Sequence, residues 1–413
     1  GVDVTFEYQG PLATKTTWSG EVSGSVARTY GNDFMPTTET VSGVTGSQAV
    51  AFGYDFDKLV TCASLTVCGT APPVSALRIV RSPLNGAIQS IAMGNVTETY
   101  TYNDFGELAS KLTKYGPNTL LDFKYDVKVA GQTRDSLGRI KRRAESVDGG
   151  SASTTTYSYD AQGRLTAATN GAATETYAYA APNGNRSSAT TPSGTVSSIV
   201  YDGQDRLKQY GAITYDYTLN GELRTKTEPG AKVTHYTYDT LGNLRSVVLP
   251  TTPLTTIDYV VDGMGRRVAK KVNGSVTKQW LYRDSLKPVA ELNGSGQLVS
   301  TFVYASNPIT PDFMLRGGKT YRILTDQLGS PRLVINIADA NDRPFRAAYT
   351  AFGEAMITGT PDFLPFGFAG GIYDPDTKLV RFGRGTMMRP RGGGRAKIRS
   401  YSAEGTRTFS VTC

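Results

Sequence analysis

A seven-residue pattern, Tyr-Asp-x-x-Gly-x-Leu, recurs along most of this 413-residue chain and constrains its fold more than any other feature. Copies begin at Tyr54, Tyr102, Arg134, Tyr159, Tyr201, Tyr217 and Tyr238, with degenerate ones at Val261 and Thr325. From Asp160 to Asp262 they return about every 21 residues, counting a worn copy at Tyr179–Arg186. Self-similarity on this scale means a repeat architecture, in which each unit buries its faces only by stacking on its neighbours.

Each copy reads as a β-hairpin, so the fold class is all-β. Before each turn, residues alternate, as in Tyr157-Ser158-Tyr159 and His235-Tyr236-Thr237-Tyr238, which sets the tyrosines of one copy on one strand face. Asp55, Asn103, Asp135, Asp160, Asp202, Asp239, Asp262 and Asp326 take the first turn position, where a side-chain oxygen caps backbone N–H groups. Gly138, Gly163, Gly242, Gly265 and Gly329 take the fourth, which needs a left-handed backbone. A Leu or Ile two residues later starts the return strand. Stacked hairpins of this kind pair edge to edge, with tyrosine rings laddered across strands. An acid repeated in every turn is a turn residue, so no catalytic residue is assigned, and His235 is a wall residue.

Composition narrows the function. Aromatic residues make up 10% of the chain and charged ones 19%, which argues for an ordered core. No run of 18 apolar residues offers a membrane span. A single histidine excludes a His-rich zinc site, and the three cysteines have no metal-ligand spacing, so no metal or cofactor is expected. Cys62 and Cys68 flank a hairpin as either a disulfide or two buried thiols, with Cys413 left over. There is no P-loop, no carboxylate pair distinct from the turn acids and no nucleophile with a credible base. The chain opens at Gly1, which reads as an internal fragment with any export signal upstream.

Tyr-Asp-x-x-Gly-x-Leu at this period resembles the YD repeat of bacterial Rhs proteins, shared with the C component of insecticidal Tc toxins and with teneurins. Downstream, Thr325-Asp326-Gln327-Leu328-Gly329-Ser330-Pro331-Arg332 is similar to the opening signature of the Rhs-associated core. Ala351-Phe352-Gly353-Glu354 and the stretch from Pro365 to Gly383 resemble its end. The resemblance implies a β-sheet ribbon wound into a hollow shell over residues 1–320, followed by a partial core over 321–383. It implies a shell that encloses a variable C-terminal toxin, with a core that frees the toxin by aspartate-dependent self-cleavage. Asp374 and Asp376 are read as turn residues. The expected product is a non-enzymatic shell fragment of a polymorphic toxin, secreted or displayed at the cell surface. Its partners are the toxin domain and the remaining shell segments of the parent, with immunity and secretion partners unassigned. Full shells are longer, so this length gives an incomplete wall whose open edge needs a cover. A surface adhesion or carbohydrate-binding module is the alternative, separated by a glycan-binding screen of residues 1–383.

Residues 384–413 depart from the pattern. They hold seven Lys and Arg against one Glu, a net +6 out of +8 for the chain. One reading is a basic arm for nucleic acid, without a fold signature behind it. The other is a shift of reading frame. Arg384-Gly385-Thr386-Met387-Met388 can be encoded CGC GGG ACT ATG ATG. Read from the last base of the first codon, this becomes Arg-Asp-Tyr-Asp, the segment that the family resemblance expects here. The same frame turns Lys397-Ile398-Arg399 into Lys-Asp-Pro. A tail out of frame has no evolved pattern and is expected to be poorly ordered. The expected outcome of resequencing the source DNA from codon 375 to beyond codon 413 is the core motif in the alternative frame. DNA without that motif in any frame restores the basic arm.

Overall fold

The computed structural model describes residues 1–43, 45–69, 71–126, 134–180, 183–383 and the backbone of 385–388. The rest of the basic tail lies outside the described residues.

Alternating polar and apolar residues, broken by a turn every eight to twelve positions, can only build hairpins. They do so without interruption. The strands from Val2–Gln9 to Gly194–Val196 form a 17-stranded sheet, and those from Ile199–Tyr201 to Ala355–Gly359 a 16-stranded one. In the first sheet each strand pairs antiparallel with the strand before it and the strand after it in the chain. The second sheet follows the same rule and runs unbroken across residue 320. Ile372–Asp374, Leu379–Phe382 and Gly385–Met388 make a third, three-stranded sheet. Helix among the described residues is limited to single 3-10 turns at Pro361–Phe363 and Phe368–Gly370.

The two long sheets lie against each other. Val303, Phe313, Leu324, Leu333 and Ile335 of the second share a core with Val50, Ile79, Ile91 and Phe123 of the first. Strand alternation sends Phe302, Tyr304 and Tyr321 to the opposite face, where Phe366 and Phe363 cover them edge-on. The second sheet is therefore a middle layer here, between the first sheet and the segment after Gly359.

The order of the contacts fixes how the ribbon travels. Trp18 Nε1 donates to Asp262 (3.2 Å), Arg283 to Glu39 (2.7 Å), Arg322 to Glu98, Arg332 to Glu145 (2.7 Å) and the Ala351 amide to Glu175 (3.3 Å). As the first sheet advances, so does the second. A ribbon doubled back on itself would reverse this order, so the two sheets are successive laps of one coil. The separation along the chain falls from 244 residues at Trp18 to 176 at Glu175, so the second lap is the shorter.

Candidate functional site

The repeated turn is the first unit. At Asp160, the Asp160 amide donates to the Arg164 carbonyl (3.0 Å) and the Gly163 amide to the Asp160 carbonyl (2.9 Å). Asp160 Oδ1 accepts from the amides of Gln162 (3.1 Å) and Arg164 (2.8 Å), groups the ladder leaves unpaired. Asn103, Asp135, Asp202, Asp239, Asp262 and Asp326 accept the same two bonds, and Asp55 accepts the second. Gly138, Gly163, Gly242, Gly265 and Gly329 sit at φ from 74° to 82°, and Lys58 and Asp205 reach 64° and 59° where a copy lacks glycine. Two further copies escape the sequence reading. Thr350 Oγ1 accepts from the Glu354 amide (3.0 Å), and Asn293 Oδ1 from those of Ser295 and Gln297 (both 3.0 Å). Gly353 and Gly296 at the fourth position were the signal for them.

The fifth turn position links one hairpin to the next. Arg139, Arg164, Arg206 and Arg266 each give Nε to the acid opening their own turn, at 2.5–2.8 Å. The same guanidinium covers a tyrosine of the following hairpin: Arg139 over Tyr159 (4.4 Å), Arg164 over Tyr179 (4.5 Å), Arg206 over Tyr217 (5.1 Å). That tyrosine donates its hydroxyl to the carbonyl just after the arginine, Tyr159 to Ile140 (2.9 Å), Tyr179 to Leu165 and Tyr217 to Leu207 (both 2.7 Å). Each such link combines a cation–π contact of about 0.5–2 kcal/mol with a hydrogen bond of about 0.5–1.5 kcal/mol. The expected tyrosine ladder is, at these positions, an arginine–tyrosine ladder, because the ring face takes a cation better than another ring edge. Where the turn opens with Asn103, Thr218 or Thr350, the fifth residue is Glu107, Glu222 or Glu354, so the acid changes place. Thr218 Oγ1 donates to Glu222.

Between the laps some polar contacts are exposed, as at Asp148 with Arg343 and Arg346, and others are buried. Glu98, 1% exposed, pairs with Lys111 (2.6 Å) and Arg322, and Tyr100 donates to it (3.0 Å). Burial alone raises the Glu98 carboxyl, but Lys111 and Arg322 outweigh it and hold it at about 2. Lys111 also donates to the Thr325 carbonyl (3.0 Å). These groups line a cavity of about 320 Å³ together with Asn307, Thr310 and Asp312. Asp312 is itself committed, accepting from the amides of Ala305 and Ser306 (both 2.8 Å). Burial raises the Asp326 carboxyl on the same wall. Glu98, Asp312 and Asp326 are thus each engaged, in a pair across the seam, in a loop of the second lap and in a turn.

A family model described as the teneurin YD-shell matches residues 1–392. The chain belongs to the teneurin YD-shell family. Teneurin-4 of Mus musculus is 30% identical over 257 residues, covering 60% of this chain and 9% of that protein. Teneurin-3 of Danio rerio is 25% identical over 401 residues, covering 92% and 14%. The chain therefore spans less than a sixth of these relatives. In the crystal structure of TcdB2-TccC3-Cdc42, a shared fold extends over 92% of this chain and 20% of that one, with a TM-score of 0.61 at 14% identity. The family likeness expected from the repeat is thus shown for teneurins, and so is the ribbon of hairpins; the likeness to the Tc protein structure is one of fold. This YD-shell chain is a structural shell module.

The end of the YD shell holds a second buried group. Asp374, 5% exposed, accepts from Tyr259 (2.7 Å) and pairs with Lys270 (2.8 Å), which also reaches Asp376 (2.5 Å). Burial raises the Asp374 carboxyl, yet Lys270 and Tyr259 more than reverse that and leave it lowered. Asp374 also accepts from the amides of Asp376 and Thr377. The assignment of Asp374 as a turn residue was therefore incomplete: the same carboxylate fastens the last sheet to the second lap. Cys62 and Cys68 are bonded, their Cα atoms 5.8 Å apart. His235 is exposed in the strand Lys232–Tyr238. No helix among the described residues is long and apolar enough to cross a membrane, and no three His, Cys, Asp or Glu side chains converge there.

Two outcomes are expected. Thr218→Asp sets two carboxylates together and lowers stability by about 1 kcal/mol, and adding Glu222→Arg rebuilds the acid–arginine turn and restores it; urea midpoints of the four-member cycle check this. Glu98→Gln leaves Lys111 and Arg322 buried without their carboxylate and costs about 3–5 kcal/mol. Because the folded Glu98 carboxyl titrates below its unfolded value, its stabilisation is full above the unfolded pKa and disappears as pH falls towards about 2. The loss of stability between those limits is therefore shallower in the variant, as read from urea midpoints against pH.

Proposed function

We propose that this chain is a length of wall from a secreted or cell-surface Rhs-type shell that encloses and delivers a C-terminal toxin in competition between bacteria. The observation that carries this reading is the in-step set of contacts from Trp18–Asp262 to Glu175–Ala351, which belongs to a coil of successive laps. A coil that shortens from one lap to the next narrows a lumen, as a container's end does. The buried pairs are suited to passive containment, since their charges are consumed within the wall. Likeness to the TcdB2-TccC3-Cdc42 structure supports the shell architecture. In the parent, the partners are the toxin segment and the remaining laps, and the chain itself carries out no chemistry.

The test uses the frame-restored parent polypeptide. The segment downstream of the shell is expected to be cut by a nonspecific protease at least about tenfold more slowly than the same segment expressed alone, because cleavage tracks the population of open states. Equal rates for the two would overturn enclosure.

A further inference from the structure

On the face turned away from the second lap, the first sheet carries a cross-link that the neighbouring strand makes room for. Cys62, in the strand Val60–Ser64, is bonded to Cys68, six residues on. Phe52 and Ala63 point into the core shared with the second lap. Strand alternation therefore sends Gly53 and Cys62, which stand opposite each other, to the other face. Cys62 is nevertheless only 5% exposed, since the bond draws Cys68 back over the sheet.

Gly53 supplies the space. Its backbone lies outside the left-handed region, so the strand itself does not call for glycine. A Cβ added there would lie 3.0 Å from Cys68 Cβ and 3.3 Å from Cys62 Cβ, closer than ordinary contact. At the same position, just before the last tyrosine of the strand, other copies of the repeat carry Thr101, Ser158, Ala178, Val200, Asp216 and Thr237. The copy that gives up its side chain is the one beside the disulfide. Glycine weakens a strand interior, so its presence here marks the cross-link as a built feature rather than a chance meeting of two thiols. Beyond the bond the loop is lightly tied: the Thr66 amide donates to Ser64 Oγ (3.2 Å), and Leu65 and Val67 are exposed.

We propose that the Cys62–Cys68 bond is a redox latch, which pins residues 65–69 to the wall in an oxidising environment and frees them on reduction by a low-molecular-weight thiol. Cys68 is the less buried of the two, so its sulfur is the one a thiolate reaches. Attack there forms a mixed disulfide and expels Cys62 as a thiolate, which takes a proton. A second thiol then displaces Cys68 in the same way. Two electrons and two protons pass to the cysteines, and the reductant leaves as its own disulfide. The latch answers to the redox environment alone, so it stands or falls apart from what the shell encloses.

Limited proteolysis of the full chain with a disulfide-free serine protease tests this, with cuts located by fragment mass. After reduction by a phosphine, cleavage between Ser64 and Gly69 is expected to run at least about tenfold faster than in the oxidised chain, because local opening sets the rate. Cleavage elsewhere in residues 1–383 is expected to change little. The double variant Cys62→Ala, Cys68→Ala is expected to be cut at the fast rate with or without reductant. Reduced glutathione in excess over its disulfide is expected to open the bond, read as alkylated Cys62 and Cys68. Equal loop cleavage in both redox states, a rise spread evenly over the wall, or a bond that stays closed in glutathione would overturn the latch.

Discussion

From Asp135 to Asp262 the wall leans on an arginine that closes one turn and, at three of four such turns, covers the tyrosine of the next hairpin at close range. Arg164 neutralises Asp160, fixes the shape of its own turn and lies on Tyr179, whose hydroxyl is tied to Leu165. An isolated two-stranded hairpin is marginal in water. Where it occurs, the link makes one hairpin part of the folding template of its successor, so stability accumulates by nearest-neighbour terms along that stretch of ribbon. It also explains why Tyr, Asp, Gly, Arg and Leu travel together: each is one contact of a single device, and losing one leaves another unsatisfied.

Lap-to-lap cohesion follows a different rule. Apolar faces of similar hairpins would tolerate many alignments, because hydrophobic contact is not directional. Glu39, Glu98 and Glu145 meet Arg283, Arg322 and Arg332 in only one. Desolvating such pairs costs much of what their attraction returns, so their chief effect is to penalise every misaligned lap by burying a charge alone. Apolar area holds the laps together and the charges choose the register.

The division between what was legible in the sequence and what was not has the same origin. Turn chemistry is local: Asp160 bonds amides two and four residues on, so a short pattern reveals it. Strand pairing is nearly as local, since each strand meets its sequence neighbour. The arginine–tyrosine link spans about one repeat, and it was missed in favour of stacked tyrosines because Arg164 and Tyr179 fall in different copies. Nothing local announces the seam. Arg322 sits between Tyr321 and Ile323 as any strand residue does, and its partner lies 224 residues away. Asp374 was recognisable as a turn residue, but its tie to Lys270 depends on how the last sheet docks.

The contacts between laps also act as a count. Glu39, Glu98 and Glu145 on the first lap are matched to Arg283, Arg322 and Arg332 on the second, across 244, 224 and 187 residues. Removing one hairpin from between Trp18 and Asp262 would shift every later strand by two places and put each cation opposite the wrong neighbour. A ribbon that grows by duplicating hairpins can therefore change length freely only where no finished lap lies beneath it. Within a closed stretch, the circumference is inherited as a fixed number of hairpins rather than as a set of individual residues.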